Sequence, residues 1–215
     1  MERDHYLTYS YLTLRRAVGW IGILLPFTLM IGNILIFREN VIRGSISLYY
    51  HSGMRDVFVG GVCAIALFMF FYRGYDRVDR WSSNLVGFFA VCVALFPTTE
   101  HGPLDWSGKV HFFSASCFFV ILAYISLFLF TKGYGHTKKK LARNRVYVAC
   151  GIVMLACLIA IAVYFRLYDM EYTGSSFVFW IETVALIAFG ISWLTKGGTI
   201  LPDHKIKAIN IQEGR

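Results

Sequence analysis

The chain has 215 residues, of which 57% are hydrophobic and 16% charged, with a formal net charge of +8. A soluble domain carries about a quarter charged residues, and here the apolar residues come in blocks of membrane-spanning length rather than in amphipathic stripes. That excludes an ordinary soluble domain, and it assigns the positive charge to loops facing anionic headgroups rather than to a nucleic-acid partner.

The expected fold is all-α: one integral membrane domain over residues 1–215, built as a six-transmembrane-helix bundle. The spans are expected at 17–37, 56–72, 83–98, 110–131, 146–166 and 177–195. A bilayer leaves no water for unpaired backbone groups, which favours helices. The alternation of a membrane barrel strand is missing. The first span follows a basic segment that resembles a signal-peptide n-region. Its apolar part is too long for a cleaved leader, so it reads as a retained helix. The next polar stretch is SISLYYHSGMRDVF, leading into the second span. The run YRGYDRVDRWSSN reads as a solvated, salt-bridged connection in which Ser82 or Ser83 caps the third helix.

Orientation follows from the basic loops. With the N-terminus cytoplasmic, 16 of the 21 Lys and Arg residues fall on the cytoplasmic side. Both termini are therefore expected inside, with the protein in a bacterial inner membrane. Cys63, Cys92, Cys117, Cys150 and Cys157 all fall within spans and read as small packing residues, not as disulfides. Trp20, Trp81 and Trp193 fall near one interface, and Trp106 and Trp180 near the other.

This topology gathers Glu39, His51, Arg55, Asp56, Glu100, His101, Asp105, His111, Asp169, Glu171 and Glu182 on the outer side. Asp56 opens a helix, where a carboxylate interacts well with the macrodipole. His111, Ser114 and Ala115 share one helix face. Glu182 lies within a span, where a carboxylate needs a partner or a cavity. His51, His101 and His111 with one carboxylate would supply ligands for a catalytic zinc, the candidate cofactor. Asp56 or Glu182 would act as base and Ser47 or Arg55 would stabilise the oxyanion.

Two families share parts of this pattern. The segments ALFPTTE and VHFFSASCFF, with a polar first external loop, resemble the DRAM-like six-helix membrane proteins (damage-regulated autophagy modulator and its GPI-remodelling relatives) and bacterial relatives of that architecture. The resemblance implies a six-helix bundle with lipid-related biology. The Ser47-to-His51 spacing followed by Asp56 is similar to the first two elements of the CREST membrane hydrolases, the alkaline ceramidase and adiponectin-receptor type. In that family the last helix adds a His-x-x-x-His pair. Here the last span holds Glu182 and no histidine, so the family's zinc site does not carry over whole.

Three functions fit the sequence: a metal-dependent hydrolase of membrane lipid, a non-catalytic lipid-binding or accessory assembly subunit, and a small proton-coupled transporter. The expected partners are membrane lipids and a protein partner or a second copy of the chain.

Overall fold

The computed structural model of the chain describes residues 2–74, 76–133, 137–168 and 175–202. Among the described residues the regular structure is helical throughout: α1 (Glu2–Leu35), α2 (Arg55–Phe71), α3 (Arg77–Leu95), α4 (Trp106–Tyr124), α5 (Lys138–Leu167) and α6 (Phe177–Lys196). A short 3-10 helix, Ser47–His51, precedes α2, and a π turn, Ile125–Leu129, extends α4. Five helices are long and apolar enough to cross a membrane: α1 over Tyr11–Leu35, α3, α4 with its π turn, α5 and α6. The chain is an all-helical integral membrane protein. The expected second span is α2, the shortest of the six helices at 17 residues, or about 26 Å of helical rise.

Capping residues place several helix starts earlier than the apolar blocks alone would. Asp105 caps α4, accepting from the Gly108 N–H at 2.7 Å. Thr137 caps α5 through Lys140 N–H. The α3 cap is neither Ser82 nor Ser83, as the sequence reading had it. Asp76 is the cap, in a reciprocal box with Asp79. Both serines lie one to two turns inside the helix and are buried, and Ser83 bonds back to the Asp79 carbonyl. Asp79 is itself only 2% exposed, so this connection is not simply solvated. Lys132, following α4, reaches Asp76 at 2.8 Å and Asp79 at 3.5 Å.

Each helix packs on the next in sequence, and α6 closes on α1, so the six form a ring. Leu29, Ile65, Met69, Leu122, Met154 and Phe189 fill its centre. Large apolar side chains such as Leu24, Leu67, Phe88, Phe113, Phe128 and Ile159 face outward, as lipid contact requires. One polar node lies within the ring. Ser126 on the π turn donates to the Tyr147 carbonyl of α5 at 2.9 Å and meets Ser192 of α6 at 2.7 Å. The wider π turn thereby joins three helices through hydroxyls.

Ring closure depends on Gly19 and Gly190. A Cβ on Gly190 would stand 2.5 Å from the Gly19 carbonyl oxygen, and one on Gly19 would stand 2.9 Å from that of Gly190. The two backbones touch, as small residues permit in membrane bundles. Gly190→Ala should therefore destabilise by about 1–3 kcal/mol through overpacking. Gly60→Ala is the internal control. It has open space around it, so it should be neutral or gain about 0.5–1 kcal/mol. Thermal melting of the detergent-solubilised variants reads the difference.

Candidate functional site

The end of the ring carrying residues 36–54 and 96–105, here the capped end, is organised by Pro97. The residue before a proline is pushed out of the α region, and Phe96 is extended at φ −99°, ψ 107°. Pro97 also has no N–H to give to the Val93 carbonyl. The backbone that follows is held by side chains. His111 Nδ1 donates to the Phe96 carbonyl at 2.7 Å, Ser107 Oγ to Pro97 at 2.9 Å, and His51 Nε2 to Thr98 at 2.6 Å. Three consecutive carbonyls are thus satisfied from two elements, α4 and the 3-10 helix. His111 lies within α4, whose cap is Asp105, and its side chain caps the end of α3.

A chain of charge-assisted bonds covers this end. The Asn33 amide donates to Glu39 at 3.1 Å. Arg43 reaches Glu39 at 2.9 Å and Glu100 at 3.1 Å, and Glu100 stands 3.8 Å from His51 Nδ1. The Asn33 amide and the Arg43 guanidinium hold the Glu39 carboxyl below its ordinary range. Asp105 is likewise held low, by the Gly108 N–H and then the Thr99 hydroxyl.

Beneath this cover lies a cavity of about 60 Å³, roughly the space of four waters. Its apolar walls include Leu25, Phe58, Ile65, Ala90, Phe118 and Leu186. The polar groups on it are Ser47, His111 and Glu182. Glu182 accepts from the Ile46 N–H at 2.6 Å, and the Phe179 N–H donates to the Gly44 carbonyl at 2.8 Å. The first turns of α6 therefore hold Gly44 and Ile46, and Ile46 lines the cavity. Ser47 meets Ser45 at 3.0 Å. Of the groups gathered from sequence, these three share one cavity although they are up to 135 positions apart.

The other candidates lie elsewhere. Asp56 is exposed in the first turn of α2. Arg55 is exposed and turned onto Tyr50, bonding its hydroxyl at 2.7 Å and lying 4.4 Å over its ring. His101 is exposed. Asp169 and Glu171 fall outside the described residues. Ser47 and His51 begin and end a 3-10 helix, where four residues turn the chain about 120° past a full turn. They consequently point apart, Ser47 to the cavity and His51 to Thr98.

These positions do not fit a zinc centre. His101 is exposed, and no three His, Cys, Asp or Glu side chains among the described residues are grouped to hold a metal. Arg43, absent from the outer-side candidates, carries the cover together with Glu39, which was among them. No protein-family model, curated protein or solved structure matches the chain.

Two outcomes follow from the cover. His111→Ala removes the donor to Phe96 and should cost about 1–3 kcal/mol, read as a lower melting temperature. Glu39 has a folded-state pKa below its unfolded value near 4.5. Its contribution is complete above that value and is lost as the pH falls through the folded one. Between pH 6 and 3 the melting temperature of wild type should fall more steeply than that of Glu39→Gln.

Proposed function

We propose that the protein is a non-catalytic, lipid-binding membrane subunit that takes the polar end of a membrane amphiphile into the cavity at its capped end. On this reading all six helices cross the membrane. Both termini lie on the cytoplasmic face of a bacterial inner membrane, and the cavity opens toward the outer leaflet. The cavity carries the reading: it is an apolar enclosure within the membrane domain, with a carboxylate and an imidazole on its wall. An intramembrane ionisable group marks a functional site by default. A volume near 60 Å³ admits a hydroxyl or amine and its first carbons rather than a whole acyl chain. Glu182 offers an acceptor to such a donor. Nδ1 of His111 is committed to Phe96, which leaves Nε2 as the ring's second polar atom.

Lipids extracted from the purified protein, quantified by mass spectrometry, test this. Wild type should retain one amphiphile class enriched over the bulk membrane. Ala115→Phe, which fills the cavity, and Glu182→Gln should each reduce that enrichment about tenfold. Equal lipid profiles for wild type and Ala115→Phe would overturn it.

A second reading, hydrolysis of a membrane lipid ester or amide, is favoured by the meeting of Ser47, His111 and Glu182 on one cavity. It requires free fatty acid to accumulate from the bound lipid with wild type and not with Ser47→Ala. Intact bound lipid after prolonged incubation removes it.

A further inference from the structure

The opposite end of the ring has the reverse chemistry. Lys196, at the end of α6, lies 4.9 Å from the Phe130 ring centroid and 6.0 Å from that of Tyr147. Arg15, Lys140 and Arg143 stand close enough to act on it electrostatically, and Asp79 is the acid that does so. With Lys132 on Asp76 and Asp79, five cations meet two carboxylates among the described residues at this end. Like charges do not converge without cost unless an anion joins them.

Arg15 is only partly satisfied by hydrogen bonds. Its guanidinium has five donors, yet its hydrogen bond is a long one, 3.4 Å to the Lys196 carbonyl. Its Nε is buried without a hydrogen-bond partner, and no carboxylate pairs with it among the described residues. The Arg15 guanidinium carbon lies 4.3 Å from the ring centroid of Tyr11 and 5.3 Å from that of Tyr72, contacts that stabilise the charge without neutralising it.

That arginine lines a narrow cleft of about 20 Å³ between α1 and α2, with Leu14, Val18, Phe68, Phe71, Tyr72 and Trp193. These two helices pack less extensively than α2 does on α3 or α6 on α1. Leu14 and Phe71 are exposed at the cleft, at 38% and 69%, so it opens sideways toward lipid. A soluble anion would have no use for that apolar wall.

We propose that the basic end carries a dedicated site for one anionic phospholipid, its phosphate on Arg15 within the field of Lys196 and an acyl chain on the outer surface beside the exposed Leu14 and Phe71. The site is independent of the cavity at the capped end, and its failure would leave that reading untouched. Its positive charge is local and built, unlike the diffuse attraction of basic loops to a membrane surface.

The test is native mass spectrometry of the full chain in mild detergent, titrated with phosphatidylglycerol or with phosphatidylcholine of the same acyl chains. One phosphatidylglycerol should be retained per chain, at least tenfold more tightly than phosphatidylcholine. Arg15→Gln should abolish that preference, and Arg15→Lys should restore part of it. Phe71→Ala, at an exposed position, should weaken retention several-fold with an unchanged melting temperature. Arg77→Gln with Lys138→Gln removes two exposed charges from the same end and should leave retention as in wild type. Equal loss in that double variant would overturn the proposal in favour of a diffuse field. Inorganic phosphate binding as tightly as the lipid, with Phe71→Ala neutral, would overturn it in favour of a soluble anion.

Discussion

A single missing N–H organises half of this molecule. Pro97 stops α3 and leaves the backbone beyond it without helical donors. In an apolar surround such carbonyls cannot be left to water. The answer comes from His111, Ser107 and His51, which reach Phe96, Pro97 and Thr98 in turn. Because those side chains sit on α4 and on the 3-10 helix, satisfying the carbonyls also docks both elements against the end of α3. His51 then extends the arrangement through Glu100 and Arg43 to Glu39 and Asn33. The cover over the cavity is thus continuous with the repair of one proline break.

Much of the fold was legible because the bilayer imposes length and polarity together. Apolar blocks marked the helices and missed their polar starts, most of all that of α1, which begins at Glu2 rather than 17, and those of α3, α4 and α5, where capping by Asp76, Asp105 and Thr137 adds turns outside the apolar run. Topology also brought Glu182, His111 and Ser47 to the same end, and they do line one cavity. What it does not supply is the direction of a side chain. Asp56 and Arg55 share that end but turn outward, and His51 is rotated away from Ser47 by the tight winding of the 3-10 helix. Counting residues per turn as though the segment were α-helical makes the two look adjacent. Asp79 shows the opposite error: a run of alternating charges looks solvated, yet the capping box folds one carboxylate inward.

The two ends of the ring solve the same problem with different materials. At the capped end, charges alternate in sign along a chain of direct contacts, and the polar groups largely satisfy one another. At the basic end, aromatic faces do much of the work. Tyr72, Phe130 and Trp193 lie 5.0 to 6.4 Å apart, and cations rest on this cluster or on the tyrosines flanking it. Aromatic faces stabilise a cation without neutralising it. The first end is therefore closed by its own side chains, while at the second, among the described residues, cations rest on aromatic faces as well as on Asp76 and Asp79.

The Gly19–Gly190 contact bears on biogenesis. Helices α1 to α5 each meet the neighbour that precedes or follows them in the chain, so they can pair in the order in which they are made. The face of α1 that carries Gly19 belongs to α6 alone. Until α6 is made, that small-residue face has no helix to close on, and α1 is held in the growing bundle by its contact with α2.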